Sequence, residues 1–286
     1  MKKKSQAPLP GTLFLVSTPI GNMEDITLRA LRILKEVDLV AAEDTRVARK
    51  LFSRHGINTP LESCFESNEG LKAGLFLRRL NGGGDMALIS DAGTPGVSDP
   101  GFRLTQSCLE HSIPVRSVPG PSSVISALTV SGFSMDSFSF MGFVPRTAAK
   151  RKRFYLSLRA DRAGTVVVFE TARRLKASLA DACEVLGDVP VCVARELTKI
   201  HEEVLRGTLS EVISAMEGRT ILGEVAVVYR LEREAPDASE AAAMMEELLR
   251  AGLPLKEVVK AVTRESGLKR TDVYKDALDL KVRLGL

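Results

Sequence analysis

Five short stretches in the first part of the chain combine turn-forming residues with charged or hydroxyl side chains. They are TPIGN at residues 18–22, EDTR at 43–46, ESNE at 66–69, SDAGTPGVSDPG at 90–101 and PGPSS at 119–123. Carboxylates can accept a proton or a hydrogen bond from a ribose hydroxyl, and serines that open a helix suit a bound carboxylate or phosphate. Together these stretches predict a ligand-binding cleft if the fold brings them to one place.

The fourth stretch is the richest in glycine, proline and carboxylates. Gly93 and Gly96 allow the main chain to approach a ligand closely, and two prolines stiffen the loop, so we expect backbone groups to read the ligand. Asp91 stands at a predicted strand end, where it can accept from a ribose hydroxyl or lie near a cation. Asp99 directly precedes a proline and is predicted to cap the following helix rather than to contact the ligand.

The elements that position these stretches are short apolar runs that alternate with helical patterns. The runs cover residues 12–17, 39–43, 61–65, 86–90 and 114–118. Such βαβ alternation is typical of a mostly parallel sheet. Because open α/β sheets bind ligands at the carboxyl ends of their strands, the five stretches are expected to form one cleft.

A second series of strand patterns follows, at residues 138–143, 165–170, 189–194, 202–207 and 224–229, with at least two helices between them. The 286 residues exceed the length at which a single core stops growing, about 250 to 300 residues. We therefore predict α/β domains at residues 11–120 and 121–233, a linker around Pro236, and a helical tail at residues 237–286.

Residues 253–280 of the tail predict two short helices around Gly267, with Thr271 as the N-cap of the second. One interpretation is a helix-turn-helix that docks on RNA through Lys269, Arg270 and Lys275. The alternative is a helical hairpin that buries apolar residues against the body or a second subunit. Those apolar residues are Leu255, Val258, Val259 and Val262.

The charge of the chain is concentrated in one segment. The net charge is only +4, but residues 145–176 hold ten Lys or Arg against Asp161 and Glu170. A solvated charged face is the ordinary interpretation, whereas phosphate contact is favoured if the substrate is RNA. The densest part contains Arg146, Lys150, Arg151, Lys152 and Arg153.

The sequence argues against several kinds of binding site and against export or insertion into a membrane. Four separated cysteines and three histidines suggest neither a zinc site nor a disulfide framework, and no phosphate-binding P-loop motif occurs. The basic start is followed by the apolar run LFLV, which is shorter than the roughly 7 to 15 residues of a signal-peptide core. No run approaches the roughly 18 apolar residues of a membrane span. We expect a cytoplasmic protein without a metal and without a membrane partner.

The motifs TPIGNMEDIT, AAEDTR, SDAGTPGVSDPG, PGPSS, ARELTK and GEVAVV occur here in an order and spacing that resemble the S-adenosylmethionine-dependent tetrapyrrole methylase superfamily. Within it, they are similar to the branch that modifies small-subunit ribosomal RNA. The resemblance covers residues 11–286. It implies a tetrapyrrole-methylase-like α/β fold with the cofactor cleft between two domains, plus a small C-terminal helical extension. It also implies 2′-O-methylation of cytidine 1402 in 16S rRNA, within the 30S subunit.

The resemblance carries over cofactor contacts residue by residue. Ser122 would approach the methionyl end of S-adenosylmethionine, and Leu197 and Ala226 would meet the adenosine. The full set of implied cofactor residues is Asp91, Ala92, Gly93, Gly96, Val97, Ser122, Leu197 and Ala226.

The sequence leaves the proton acceptor open. The branch commonly has histidines where this chain has Ser67 and Arg173, so no histidine base is expected there. A carboxylate or lysine can serve instead, with an ion pair or helix cap as the alternative role of each. The candidates are Glu43, Asp44, Glu69 and Lys199, with Arg46, Arg173 and Arg195 for phosphate.

Two other functions use the same motifs. A tetrapyrrole C-methyltransferase shares the scaffold but has no evident need for the basic segment. A non-catalytic RNA-binding assembly factor would retain the cofactor cleft without turnover. A symmetric homodimer is common among soluble proteins and is expected here on that ground alone.

Overall fold

The computed structural model describes residues 9–65, 67–159, 164–231 and 238–286. The chain divides into two compact units, Met1–Leu231 and Glu232–Leu286. The predicted basic leader, the linker around Pro236, Glu66 and Asp161 lie outside the described residues.

The first sheet of the larger unit contains five strands, and every pair in it is parallel. The strands are β1 (Leu13–Val16), β2 (Leu39–Ala42), β3 (Leu61–Ser63), β4 (Met86–Ile89) and β5 (Val115–Val118). They alternate with α1 (Leu28–Glu36), α2 (Thr45–His55), α3 (Glu69–Asn81) and α4 (Phe102–Glu110). Their order is β3-β2-β4-β1-β5, which confirms the predicted βαβ architecture.

The strands of this sheet are apolar on both faces because helices cover both. Val40 and Ala42 pack in the cluster that contains residues of α1 and α2. Leu39 and Ala41, on the opposite face, pack with residues of α3 and α4. A strand buried on two sides reads as a continuous apolar run, as LVAA and MALI do here. Each fully buried Leu or Val contributes about 1.5 to 3 kcal/mol relative to exposure.

The second sheet is mixed. Its strands are β6 (Phe138–Phe143), β7 (Thr165–Thr171), β8 (Pro190–Arg195), β9 (Glu203–Thr208) and β10 (Glu224–Arg230), in the order β6-β7-β10-β8-β9. The β6–β7 pair is parallel, and the other pairs are antiparallel. Helices α5 (Ser123–Ser131), α6 (Ala148–Leu158), α7 (Ala172–Leu186) and α8 (Leu209–Ala215) accompany it.

Helix α5 connects the two sheets and packs on the second. Val124 and Leu128 lie in one cluster with Ala194 and Ala226 of the second sheet. Ile20, from the loop after β1, belongs to the same cluster. The loops of the first sheet therefore share a core with α5 and the second sheet, and this shared core forms one wall of the candidate site.

The smaller unit is a three-helix cluster made of α9 (Ala238–Arg250), α10 (Leu255–Ser266) and α11 (Arg270–Leu284). Gly267, at φ +66°, ends α10 as predicted. The prediction that Thr271 is an N-cap is wrong, because α11 begins at Arg270 and Lys269 occupies the cap position without a side-chain hydrogen bond.

The apolar side of α10 is buried inside the smaller unit. Val258, Val259 and Val262 pack with Met245 of α9 and Val273 of α11. These valines therefore find their partners in a three-helix unit rather than in a simple hairpin. Across the described ranges, no helix is long and apolar enough to cross a membrane.

Candidate active site

The loops after β1 and β4 are joined by a backbone bridge. The N–H of Thr18 donates to the carbonyl of Gly93 at 2.9 Å, and the N–H of Gly93 donates back at 3.1 Å. Gly93 has φ +81°, and a Cβ there would lie 3.3 Å from Cγ2 of Ile20. Only glycine adopts this conformation without strain. Because its polar groups bond Thr18, Gly93 shapes the wall of the site rather than offering an unused N–H to a ligand.

The loops after β2 and β4 are joined through their carboxylates. The N–H of Asp44 donates to Oδ1 of Asp91 at 2.9 Å, and the N–H of Asp91 donates to Oε2 of Glu43 at 3.3 Å. Asp44 also caps α2 by accepting from the N–H of Arg46 at 2.8 Å. Hydrogen bonds from the Arg46 side chain and backbone lower the pKa of Asp44 to about 2, so this carboxylate is a poor proton acceptor.

A cleft of about 320 Å³ lies between the loops of the first sheet and the ends of the second-sheet strands. We call it the main cleft. Six of the eight predicted cofactor residues line it, namely Ala92, Gly93, Val97, Ser122, Leu197 and Ala226. Asp91 lines a neighbouring cavity instead, and Gly96 is not among the lining residues of either.

The N-terminus of α5 opens into the main cleft. Ser122 is its N-cap residue, and its side chain makes no capping hydrogen bond. Ser122 and Ser123 both line the cleft. The first N–H groups of a helix have no partner within the helix, and together they carry a partial positive charge. This end of the cleft therefore suits a small anionic group.

The opposite wall of the main cleft is apolar and aromatic. Ala194, Leu197 and Ala226 are buried there. Phe143 and Phe169 meet edge to face, with ring centroids 5.4 Å apart, and Phe143 is 55% exposed. Surfaces of this kind accommodate a planar heterocycle. The two phenylalanines were not predicted as site residues, although both stand near the ends of strands that flank the cleft.

Glu170 is a buried acid at the end of β7, beside the main cleft, and it was not predicted as a site residue. Its Oε1 accepts from the N–H of Thr171 at 2.7 Å and pairs with Arg174 at 2.6 Å. Its Oε2 is buried and has no hydrogen-bond partner within the described part of the chain. The side chain is fully buried on the face of β7 that carries Val166 and Val168, whereas Phe169 is on the cleft face, so this oxygen faces the core rather than the cleft. The available signal was an acid ending the otherwise apolar run TVVVFE.

Asp99 is placed differently from its prediction. Helix α4 begins at Phe102 with Gly101 as its N-cap, so Asp99 does not cap it. Asp99 is half-buried and lines the main cleft. Burial, followed by the negative charge of Glu43, raises its pKa to about 7, with further contributions from other acids and an opposing hydrogen bond from a serine. The capping prediction failed because Gly101, at φ +137°, turns the chain between Asp99 and the helix.

The neighbouring cavity, which we call the side cleft, also has a volume of about 320 Å³. It shares Ile20, Ala92 and Glu224 with the main cleft, so the two adjoin. Its lining includes Asp91 and Lys199. Glu43 and Asp44 do not line it, but each forms a hydrogen bond with Asp91.

Lys199, in the lining of the side cleft, forms ion pairs with two glutamates. Its Nζ lies 2.9 Å from Glu196 and 3.0 Å from Glu224. Burial lowers the pKa of Lys199, but the hydrogen bonds to both glutamates outweigh it and raise the pKa overall. A lysine held in its charged form has no lone pair for a proton, so its geometry favours a structural or anion-binding role over that of a base.

Glu69 does not lie at either cleft. It is 3% exposed, and its Oε1 accepts from the N–H of Leu104 in the first turn of α4 at 2.8 Å. It connects α3 to α4 inside the first sheet's helical layer. We therefore withdraw it from the candidate proton acceptors.

The basic segment divides into buried and exposed residues. Arg151 is buried, pairs with Asp181 at 2.6 Å and donates to the carbonyl of Arg146 at 2.9 Å, so its prediction as an RNA contact is corrected to a structural role. Lys152 bonds both carboxylate oxygens of Glu184 at 2.6 Å. Three basic residues of the segment are exposed and form no ion pair with any described residue. They are Arg146, Lys150 and Arg153.

The other predicted phosphate contacts differ in whether an acid or a carbonyl already occupies the side chain. Arg46 is exposed but pairs with Asp44 at 2.6 Å, and Arg195 donates to Glu203 at 3.2 Å and to the Leu222 carbonyl at 3.1 Å. Arg173 is exposed at the start of α7. Lys269 and Arg270 are exposed in the smaller unit.

Two family models match this chain, one in the larger unit and one in the smaller unit. The family model for Tetrapyrrole (Corrin/Porphyrin) Methylases matches residues 12–213. Ribosomal RNA small subunit methyltransferase I of Pseudomonas aeruginosa is 43% identical over 94% of this chain and 97% of its own length. The chain belongs to the ribosomal RNA small subunit methyltransferase I family. The Thermotoga maritima member is 46% identical over 76% of this chain and 97% of its own length.

The second family model describes the RsmI C-terminal HTH domain. It matches residues 235–281 of this methyltransferase I family member, which include most of the helical unit. Among solved structures, diphthine synthase aligns with a TM-score of 0.60 at 14% identity, over 77% of this chain and 90% of its own. Uroporphyrin-III C-methyl transferase from Thermus thermophilus, complexed with S-adenyl homocysteine, aligns with a TM-score of 0.55 at 21% identity, over 76% and 97%. These likenesses confirm the predicted methylase fold.

Proposed function

We propose that this protein transfers the methyl group of S-adenosylmethionine to the 2′-hydroxyl of a cytidine in 16S rRNA. Membership of the methyltransferase I family supports the reaction and its substrate class. The observation that carries the proposal is the main cleft, where the glycine-rich loop after β4, the start of α5 and the ends of β8 and β10 converge. Its volume of about 320 Å³ lies in the range of small-molecule sites.

The residues of the main cleft fit S-adenosylmethionine. The N-terminus of α5 and the hydroxyl of Ser122 suit the methionyl carboxylate. The apolar wall around Leu197 and Ala226 suits the adenine ring. When bound, the cofactor supplies an activated methyl group.

The protein's share of catalysis is chiefly orientation. The first-sheet loops are cross-linked by the Thr18–Gly93 bridge and by the bond from Asp44 to Asp91, so the cleft walls are fixed before ligands arrive. Aligning two reactants in this way can contribute about 7 to 11 kcal/mol to lowering a barrier.

RNA binding is proposed for the exposed part of the basic segment. Arg146, Lys150 and Arg153 follow closely after Phe143, which lines the main cleft, so they can hold phosphates while the target nucleotide reaches it. Lys269 and Arg270 are exposed in the smaller unit, whose family model describes a helix-turn-helix domain. They add a second basic surface for RNA.

The assembled 30S subunit is the proposed substrate, in the cytoplasm where ribosomal subunits are made. A homodimer stays a prediction from general frequency alone.

The test is methyl transfer from radiolabelled S-adenosylmethionine to 30S subunits from cells that lack this enzyme, with naked 16S rRNA and a precorrin in parallel. We expect label in the 30S RNA, at one cytidine whose 3′ linkage resists alkaline cleavage. The naked-RNA reaction shows whether the assembled subunit is required. Absence of label from both RNA substrates, with or without label on the precorrin, would overturn the proposal.

A further inference from the structure

Transfer to a ribose hydroxyl requires a group that takes up its proton, and several sequence candidates are occupied elsewhere. Asp44 accepts from the backbone and side chain of Arg46, which stabilises its ionised form. Lys199 is held as a cation by two glutamates. Glu69 is buried between α3 and α4, away from both clefts.

Glu43 accepts from the N–H of Asp91 and lines neither cleft. The acids that line the main cleft are Asp99, Glu170 and Glu224. Glu170 pairs with Arg174 and Glu224 with Lys199, which leaves Asp99.

We propose that Asp99 is the catalytic proton acceptor for the ribose 2′-hydroxyl. The proposal rests on the proposed function and deepens it. Asp99 lines the main cleft together with Ser122, Leu197 and Ala226, the residues assigned to the two ends of the cofactor. A carboxylate on this wall can contact a nucleophile that approaches a methyl group held in the same cleft.

The backbone around Asp99 is held in one conformation. Ser98 has φ +63°, a conformation that non-glycine residues rarely adopt. The N–H of Gly96 donates to the carbonyl of Pro100 at 3.1 Å and closes the loop around Asp99. On the far side, a Cβ at Gly101 would lie 2.9 Å from Cδ2 of Leu88, so the loop is packed against β4. Strain maintained by surrounding contacts is characteristic of functional positions.

The negative charges that act on Asp99 come from two loops and one strand. Glu43 follows β2, Asp91 follows β4, and Glu224 begins β10, and each raises the pKa of Asp99 through its negative charge. The cations beside these acids are engaged elsewhere, since Lys199 pairs with Glu224 and Arg46 pairs with Asp44. Burial is the largest cause, and together these effects bring the pKa of Asp99 to about 7. A base whose pKa lies near the working pH combines ionisation with strong proton affinity.

The ribose oxygen bonds to the methyl carbon, its proton passes to the ionised carboxylate of Asp99, and the carbon–sulfur bond breaks with its electron pair going to sulfur. The products are the 2′-O-methyl ribose, S-adenosylhomocysteine and protonated Asp99, which then loses its proton to solvent.

The first test compares Asp99→Asn with wild type on 30S subunits across pH 5.5 to 9. We expect kcat to fall by about 100-fold to 10,000-fold, the range of general acid–base contributions. Affinity for S-adenosylmethionine, measured by calorimetry, is expected to change by less than about threefold. The matched control is Asp136→Asn, because Asp136 is an exposed carboxylate that lines neither cleft. Cofactor affinity that falls by the same factor as kcat would overturn the proposal and make Asp99 a cofactor-binding residue.

The second test does not depend on turnover. A carboxyl carbon NMR titration of the free protein, assigned by its loss in Asp99→Asn, is expected to show Asp99 titrating near pH 7. In Glu43→Gln, which removes the facing charge but keeps an acceptor for the Asp91 N–H, both this titration and the acidic limb of the kcat profile should move to lower pH. A midpoint near the ordinary value of an aspartate, or a kcat profile that does not move with it, would refute the proposal. Inactivity of wild type on every RNA would instead defeat the proposed function.

Discussion

Replacing Asp99 with asparagine is expected to stabilise the cofactor-free protein in alkaline solution. The fold raises the pKa of this carboxyl from 3.8 to about 7, so the native state binds its proton more tightly than the unfolded chain does between these values. Stability therefore falls as the pH rises through that interval, and the loss is complete above pH 7. This sign is opposite to that of a carboxylate stabilised by an ion pair.

The magnitude follows from the size of the pKa change. One pKa unit corresponds to about 1.4 kcal/mol, so ionisation would cost about 4 kcal/mol for a fully shielded group with a pKa moved from 3.8 to about 7. Asp99 is only half-buried, and solvent screening reduces the expected cost to about 1 to 2 kcal/mol. Asparagine has nearly the same shape and carries no charge, so the variant should gain that amount above pH 7.

The assay is urea unfolding of cofactor-free wild type and Asp99→Asn at several pH values between 4.5 and 8.5. The chain contains no tryptophan, so unfolding is followed by far-UV circular dichroism. The stability advantage of the variant should grow towards pH 7 and stay constant above it, whereas the exposed-site control Asp136→Asn should show no such trend. An advantage that is independent of pH, or a loss of stability at pH 8, would refute the account of a carboxyl destabilised by its surroundings.

Five further substitutions separate structural from ligand-binding roles. Gly93→Ala should weaken S-adenosylmethionine binding by at least about tenfold in calorimetry, because its positive φ and its contact with the β1 loop exclude a side chain; unchanged affinity would contradict the bridge's role. Glu69→Ala should cost about 1 to 3 kcal/mol of unfolding free energy by orphaning a buried N–H, while kcat of the folded fraction stays unchanged. The pair Lys150→Ala and Arg153→Ala should each reduce the slope of log affinity for RNA against log salt by about 1. Arg151→Ala, from the same helix, should instead destabilise the fold by about 3 to 5 kcal/mol and leave that slope unaltered, since its partner carboxylate is left buried.

The strands and the edge on which the site forms could be predicted because they depend on local patterns. Apolar runs followed by glycine, proline or polar residues mark strand ends, and parallel connection then places those ends together. Ala92 and Ser122 reach the main cleft for this reason. Their assignment as cofactor contacts came from the resemblance and remains a prediction.

Other parts depend on contacts that a linear pattern does not contain. The capping rule favoured Asp99 as a cap, but the positive φ of Gly101 redirects the chain and leaves the carboxyl at the cleft. Arg151 looked like its basic neighbours, yet the helix turns it inward to Asp181, which lies on another helix. The unpartnered oxygen of Glu170 arises from packing around β7 and could not be read from the sequence.

The central claim is that the main cleft holds the cofactor, and it is tested most directly by a crystal structure of this protein with S-adenosylhomocysteine. We predict the ligand in the main cleft, with its carboxylate within hydrogen-bonding distance of Ser122 or the first N–H groups of α5, and its adenine against Leu197 and Ala226. Ligand density in the side cleft beside Lys199, or outside both clefts, would contradict the account.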